Sequence, residues 1–315
     1  MSEVFVRIPA AKFSDREWTL DGQRRAVVEP TGLDTLWFNT GTLCNLTCEG
    51  CYIESSPRND RLAYLTRAEV ARFLDEATRL PRRPTTIAFT GGEPFMNPDL
   101  IGMLEDALAA GYGALVLTNA MRPMMKQREL LAALCERFGS RLTVRVSLDH
   151  YTQALHEQER GRRSWRPTLA GLRWLDAAGC SLHVAGRTRW DEPQDALRDG
   201  YAALFRQQGL HVDAHDATQL MLFPEMDETA DVPEITEACW GILGVSPASM
   251  MCANSRMVVK RKGAAAPTVL ACTLIAYDPR FELGADLRSA LVPVPLNHPH
   301  CARFCVLGGG SCTAS

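Results

Sequence analysis

The sequence predicts an α/β fold: an open, partial (β/α)6 barrel followed by a small cysteine-rich unit. Two observations carry this. From about residue 34 to about residue 223, short strand-like runs alternate with longer runs of helical period, as in a parallel sheet with crossover helices. Past residue 238 the composition changes, and six of the eleven cysteines fall between 239 and 312. The chain is accordingly expected to divide into an N-terminal extension at 1–33, a barrel at 34–223, a linker at 224–238 and a C-terminal unit at 239–315. Pro224 to Glu234 is acidic, proline-bounded and without periodicity, which suits a linker.

Taken in order, the expected strands are 34–40, 85–90, 113–118, 141–148, 181–187 and 210–215. Between the first two, Thr66-Arg-Ala-Glu69 forms a capping box, and Val70, Phe73, Leu74 and Ala77 line one helix face. Asn97 and Pro98 start the next helix and Gly111 ends it, with Leu100, Ile101, Leu104 and Leu108 as the apolar stripe. A third helix carries Leu130, Leu131, Leu134, Cys135 and Phe138 before Gly139. Cys135 on that stripe and Cys180 at a strand start are expected as buried core thiols. Six such repeats suit a partial relative of the TIM barrel, where chemistry collects beyond the C-terminal ends of the strands. Cys44, Gly91-Gly92-Glu93-Pro94, Thr118-Asn119 and Ser147-Leu148-Asp149 follow the first four strands.

At 315 residues the chain can bury one large core and a smaller second one. Its net charge of −3 gives no reason to invoke nucleic acid or an anionic membrane. The basic clusters Arg82-Arg83 and Arg160, Arg162, Arg163 and Arg166 are expected at the solvated surface. No signal peptide is expected, and no apolar run approaches the roughly 20 residues of a membrane span. Eleven cysteines then point to metal chemistry in the cytoplasm instead of a secreted disulfide framework.

Three of those cysteines form the run Cys44-Asn-Leu-Thr-Cys48-Glu-Gly-Cys51. Three thiolates are one short of the four that a four-iron cluster takes, which leaves one iron for another ligand. A zinc knuckle is the competing reading, but tight zinc loops favour Cys-x2-Cys pairs with a fourth ligand nearby. This run, an aromatic Tyr52 directly after it, and a GGEP element at the end of the next strand together resemble the radical S-adenosylmethionine (SAM) superfamily. The resemblance implies a barrel of that type and a [4Fe-4S] cluster held by Cys44, Cys48 and Cys51, with SAM on its open iron. It further implies SAM contacts from Tyr52, Gly91, Gly92, Glu93 and Pro94. Asn119 and Ser147 resemble short family elements after the third and fourth strands. Arg187, at the end of the fifth, would meet the SAM carboxylate. Asp149 either faces the substrate or caps a helix. The chemistry implied is reductive cleavage of SAM to a 5′-deoxyadenosyl radical that takes hydrogen from a substrate, with electrons from an external donor such as flavodoxin or ferredoxin.

The C-terminal spacing, Cys239-x12-Cys252-x19-Cys272-x28-Cys301-x3-Cys305-x6-Cys312, resembles the SPASM/twitch extensions of the same superfamily. Val258 to Gly263 and Thr268 to Cys272 would form the hairpin, and Phe281 to Gly284 the link to a helix. The resemblance implies one auxiliary [4Fe-4S] cluster on Cys252, Cys272, Cys301 and Cys305, with His300 beside them. Cys312 is an alternative ligand, and a zinc-binding tail is the competing reading. Cys239 is a ligand, a hydrogen-atom donor or a buried thiol, and Cys312 is a second candidate donor. An auxiliary cluster suits net oxidation. The expected activity is therefore a radical SAM oxidoreductase dehydrogenating a small polar molecule such as a sugar or aminocyclitol. The alternatives are maturation of a ribosomally made peptide, a redox-neutral epimerase, or a non-catalytic iron–sulfur or zinc redox sensor.

Overall fold

The structure, a computed structural model, describes residues 11–310. Its strands are β1 (Val27–Val28), β2 (Thr35–Asn39), β3 (Thr86–Thr90), β4 (Gly113–Thr118), β5 (Leu142–Ser147), β6 (Ser181–Arg187), β7 (Leu220–Phe223), β8 (Ser255–Val259), β9 (Thr268–Leu270), β10 (Glu282–Gly284) and β11 (Val294–Pro295). The helices are α1 (Arg67–Thr78), α2 (Leu100–Ala109), α3 (Arg122–Lys126), α4 (Arg128–Phe138), α5 (Gln153–Arg160), α6 (Trp165–Ala177), α7 (Gln194–Gln208), α8 (Cys239–Leu243) and α9 (Met251–Asn254). Nine strands join in one sheet in the order β10-β9-β8-β2-β3-β4-β5-β6-β7. Every pairing from β8 to β7 is parallel, while β8, β9 and β10 pair antiparallel. The parallel strands of the expected partial barrel are thus the core of the molecule, and the C-terminal hairpin continues their sheet.

The first five barrel strands lie where the sequence places them. The Thr66 capping box forms with both of its bonds, and Val70, Phe73, Leu74 and Ala77 are buried. Gly111 takes a φ of +89° after α2, a conformation open to glycine. Asn97 does not start that helix. Its side-chain amide donates to the carbonyls of Thr40 and Leu65 at 3.1 and 2.8 Å, and α2 begins at Leu100. On α4, Leu130 points to solvent, while Leu131, Leu134 and Cys135 are buried. Cys135 and Cys180 are not two separate thiols: they form a disulfide between α4 and the start of β6.

The sixth strand differs. Leu210, Val212 and Ala214 are buried in alternation, as a strand would bury them. Yet segment 210–215 joins no ladder. Its amides turn to side chains instead: His211 N donates to Asp176, Asp213 N to Gln219, and His215 N to Asp213. The place beside β6 goes to Leu220–Phe223.

In the C-terminal segment the hairpin strands are β8 and β9, and Glu282–Gly284 forms a third strand, β10, in place of a link to a helix. Val27 and Val28 of the N-terminal extension pair with Val294 and Pro295. A cluster including Val28, Met251, Ala271, Ile275, Phe281 and Phe304 packs this region, while Trp37, Ala88 and Leu115 of the barrel strands meet Met257 and Leu270 of the hairpin in another. No described helix is long and apolar enough to cross a membrane.

Candidate active site

Beyond the C-terminal ends of β2–β7 lies a cavity lined by Cys44, Cys48, Cys51, Tyr52, Gly91, Gly92, Pro94, Asn119, Ser147 and Arg187. Phe223, Met226, Leu274 and Phe304 supply apolar wall, three of them from beyond β7. Nearly all the site residues expected in the barrel therefore meet in one place. Glu93 does not line it.

The glycines explain how the cysteine run is seated. A Cβ on Gly91 would strike the carbonyl oxygen of Gly41, and one on Gly92 would strike that of Leu43. Gly92 N donates to Gly41 O at 2.8 Å, and Glu93 N donates to Leu43 O at 3.1 Å. So the start of the cysteine loop lies against the end of β3 at a distance only glycine permits. Behind it, the buried Glu93 carboxylate accepts from Thr118 Oγ1 and Asn119 N, each at 2.8 Å, and from Phe95 N at 3.2 Å. It ties the end of β4 to the end of β3. Burial raises its pKa to about 7, against the pull of those three donors. Asn119 in turn donates to Asn45 Oδ1 at 2.9 Å, inside the cysteine loop.

The three thiols are free of disulfides. Leu46 N donates to Cys44 Sγ at 3.4 Å and Ser55 N to Cys51 Sγ at 3.3 Å. Such bonds stabilise thiolates, the form a metal needs. Burial pushes the Cys44 thiol up to about 12 and raises Cys48 as well, so any metal bound there would displace protons. Among the described residues, no three or more His, Cys, Asp or Glu side chains converge closely enough for a single metal ion. A shared cavity with spread thiols fits a multi-iron cluster, one sulfur per iron, better than one zinc.

A charged network on the far strands was not expected from the sequence. Asp149, 4% exposed, pairs with Arg160 and lies 3.6 Å from Arg187. Burial opposes its charge, but Arg160 and Arg187 outweigh it and hold its pKa below the usual carboxylate range. Arg187 also donates to Gly50 O at 2.9 Å, so it grips the cysteine loop. Arg160 corrects the surface reading of its cluster: its side chain is 14% exposed and lines the cavity, whereas Arg162, Arg163 and Arg166 are exposed. His156, Glu159 and Arg160, spaced i, i+3 and i+4, form an inward polar face of α5. That spacing was the available signal.

A second, apolar cavity is lined by Cys252, Cys272, Cys301 and Cys305 with His300, Met251 and Ile275. The four thiols carry no disulfide. Cys301 and Cys305 share a wide helical turn, Cys301–Val306. Leu274 N donates to Cys272 Sγ at 3.4 Å, and His300 Nδ1 is buried without a hydrogen-bond partner. Burial pushes Cys252 up to about 12 and raises Cys272 and Cys301 too. Four thiols around one pocket suit a fully ligated cluster. Cys239 lines neither cavity; its sulfur lies 3.4 Å from Thr236 N, which donates to it, and 3.4 Å from Thr236 Oγ1. Cys312 lies outside the described residues.

Comparison with known proteins agrees with this geometry. The antilisterial bacteriocin subtilosin biosynthesis protein AlbA of Bacillus subtilis (strain 168) is 30% identical over 144 residues, 45% of this chain and 30% of its own. The mycofactocin maturase MftC of Mycobacterium ulcerans (strain Agy99) is 29% identical over 169 residues, 52% of this chain and 43% of its own. The chain thus spans less than half the length of these relatives. Among solved structures, Streptococcus suis SuiB bound to S-adenosylmethionine matches with a TM-score of 0.58 at 13% identity, over 81% of this chain and 64% of that one. Native anSMEcpe with bound AdoMet matches with a TM-score of 0.56 at 13% identity, over 81% and 79%. Both show a shared fold. The profile of the radical SAM superfamily covers residues 38–198, from β2 through the cysteine loop, the Gly91-Gly92 turn and Arg187, and the chain belongs to that superfamily.

Proposed function

We propose that this protein is a radical SAM enzyme that modifies a ribosomally made peptide. The members of its superfamily bind SAM and a four-iron cluster, and its SPASM-type relatives carry auxiliary clusters as well. Cys44, Cys48 and Cys51 would hold the barrel cluster, and Cys252, Cys272, Cys301 and Cys305 the auxiliary one. When bound, cluster and SAM together supply a carbon radical able to take a hydrogen atom from an unactivated C–H bond. The chain's part is to orient SAM and substrate and to exclude water. The backbone at Gly91–Gly92, with Asn119 and Ser147, offers polar contacts on one side of the cavity, and Arg160 and Arg187, paired with Asp149, offer guanidinium donors on another. An external electron donor would reduce the barrel cluster.

The observation that moves the substrate from a small polyol to a peptide is the company the sequence keeps. The relatives it matches are named for subtilosin biosynthesis and mycofactocin maturation. A matched structure of SuiB holds its precursor peptide SuiA, and one of anSMEcpe holds a Cp18Cys peptide. The cavity wall of Phe223, Met226, Leu274 and Phe304 suits an amino-acid side chain better than a sugar ring rich in hydroxyls.

The test is anaerobic reconstitution with SAM, a reductant and short peptides encoded beside the gene. The reading requires 5′-deoxyadenosine together with a mass change on one of those peptides. Turnover of a sugar or aminocyclitol, with the peptides unchanged, would return the function to small-molecule dehydrogenation.

A further inference from the structure

The strand-end glycines seat the cysteine loop at residues 41–43, but the span between its second and third cysteines is held from elsewhere. Glu49 and Gly50 are the two residues of Cys48-x2-Cys51, and both bind Glu159 of α5. Glu49 N donates to Glu159 O at 2.9 Å, and Gly50 N donates to Glu159 Oε1 at 2.9 Å. The Glu159 side chain is 1% exposed, and its other oxygen meets the Arg189 guanidinium, which reaches on to Glu49 Oε1 at 2.9 Å. Gly50 has no room for a side chain: a Cβ there would sit 2.7 Å from Arg187 Nη1 and 3.0 Å from Glu159 Oε1.

We propose that Glu159, locked by Arg189, is a positioning residue that sets the Cys48–Cys51 span and thereby the placing of the barrel cluster's open corner toward SAM. The proposal rests on the cysteine loop being the cluster site. A carboxylate this buried is retained at a cost in desolvation unless its partners are well placed. Here they are: Arg189 on one oxygen and, on the other, the Gly50 amide inside the ligand loop, with Arg187 3.9 Å away. Charge-assisted bonds of this kind are the strong ones. Displacing Glu49 and Gly50 moves two of the three thiols relative to Cys44, which is fixed separately through Ser56 by a 3.0 Å bond from its own amide. Sequence spacing alone could not reveal the clamp, because its parts lie on the loop, on α5 and just after β6.

Glu159 also lines the cavity, whereas Arg189 does not. That difference separates a clamp from a direct contact with the cofactor. The experiment compares Glu159→Leu, Glu159→Gln, Arg189→Gln and the Glu159→Leu/Arg189→Gln double variant as anaerobically reconstituted full chains. The readouts are iron per chain, the electron paramagnetic resonance signal of the reduced barrel cluster before and after SAM, and SAM affinity. The signal of the C-terminal cluster serves as the internal control for folding. Glu159→Leu and Arg189→Gln should each alter the barrel-cluster signal and weaken SAM binding by about tenfold. The double variant should lose little more than either single one, because both act on one span. Glu159→Gln keeps an acceptor for Gly50 N and should fall between wild type and Glu159→Leu.

A wild-type signal and SAM affinity in Arg189→Gln, with both lost in Glu159→Leu, would overturn the clamp in favour of direct contact. Wild-type behaviour in all the variants overturns it outright, as does loss of the C-terminal cluster along with the first. A wild-type protein that loads no iron on Cys44, Cys48 and Cys51 sinks the reading of the loop itself, and this proposal with it.

Discussion

Glu93 shows how far a single position can serve the fold and the site together. The family resemblance implies a place in a SAM-binding turn; the structure turns its carboxylate inward, onto Thr118, Asn119 and Phe95. Because burial lifts its pKa from 4.5 to about 7, the folded protein holds a proton that the unfolded chain has released across that interval. Stability from this group is therefore complete below about pH 4.5 and is lost as pH rises through about 7. The wild type should lose more stability between pH 5 and pH 8 than Glu93→Gln does, measured as urea midpoints on the anaerobic protein. The glutamine places an amide against donors, so it should be less stable at both pH values, but with the flatter slope. Equal slopes would mean that Glu93 is ionised throughout. The cysteines give a second residue-scale test. Alanine at Cys44, Cys48 or Cys51 should abolish 5′-deoxyadenosine formation and remove about half of the roughly eight irons expected for two cubes. Undiminished 5′-deoxyadenosine from any of the three would take that thiol out of the site.

Among the elements, the turn after β3 carries the greatest consequence for its size. Gly92 has the carbonyls of Thr42 and Leu43 where a side chain would begin. Gly92→Ala must push the cysteine loop away from the strand end, at a cost of about 1–3 kcal/mol. Barrel-cluster iron should fall while the C-terminal cluster persists, and iron counts on the variant set against the cysteine variants would show it. Full iron and full SAM cleavage would mean the loop has slack that its hydrogen bonds do not suggest. Much of this level was legible in advance. Five barrel strands, the Thr66 capping box and the placing of four motifs at strand ends followed from periodicity and punctuation alone. What failed did so for physical reasons. Segment 210–215 has the alternation of a strand and its burial, but Asp213 and Asp216 turn the chain locally, and a ladder is a matter of neighbours, not of pattern. Arg160 looked like surface because three arginines near it are surface; only its partner Asp149, 11 residues earlier, makes it interior. Cys135 and Cys180 were legible as buried but not as bonded, since spacing in sequence does not report Cα separation, here 5.2 Å.

At the scale of the molecule, the decisive feature is that the C-terminal hairpin extends the barrel's sheet. Thr35 to Phe38 of β2 register with Thr86 to Phe89 on one side and with Ser255 to Val258 on the other. All five residues of β2 are buried, and Trp37 packs with Met257 and Leu270. Leu274 and Phe304, from the same C-terminal stretch, wall the cavity that the cysteine loop opens into. A chain ending at residue 238 would leave β2 as an open, apolar sheet edge and the cavity without one side. Exposed edges of that kind pair with other chains. The truncated protein should therefore aggregate, or stay soluble only as a species that binds hydrophobic dyes, even though it retains every barrel motif. Cys252→Ala in the full chain tests the complementary point. It removes a thiol proposed to bind the auxiliary cluster but leaves β8 in the sheet, so the variant should remain soluble, lose about half its iron and still cleave SAM. If the truncated chain is instead a monodisperse monomer that cleaves SAM at the wild-type rate, β8 is dispensable to the barrel. The continuity of the sheet would then carry no energetic weight, and the two cysteine groups would have to be understood as independently folding sites.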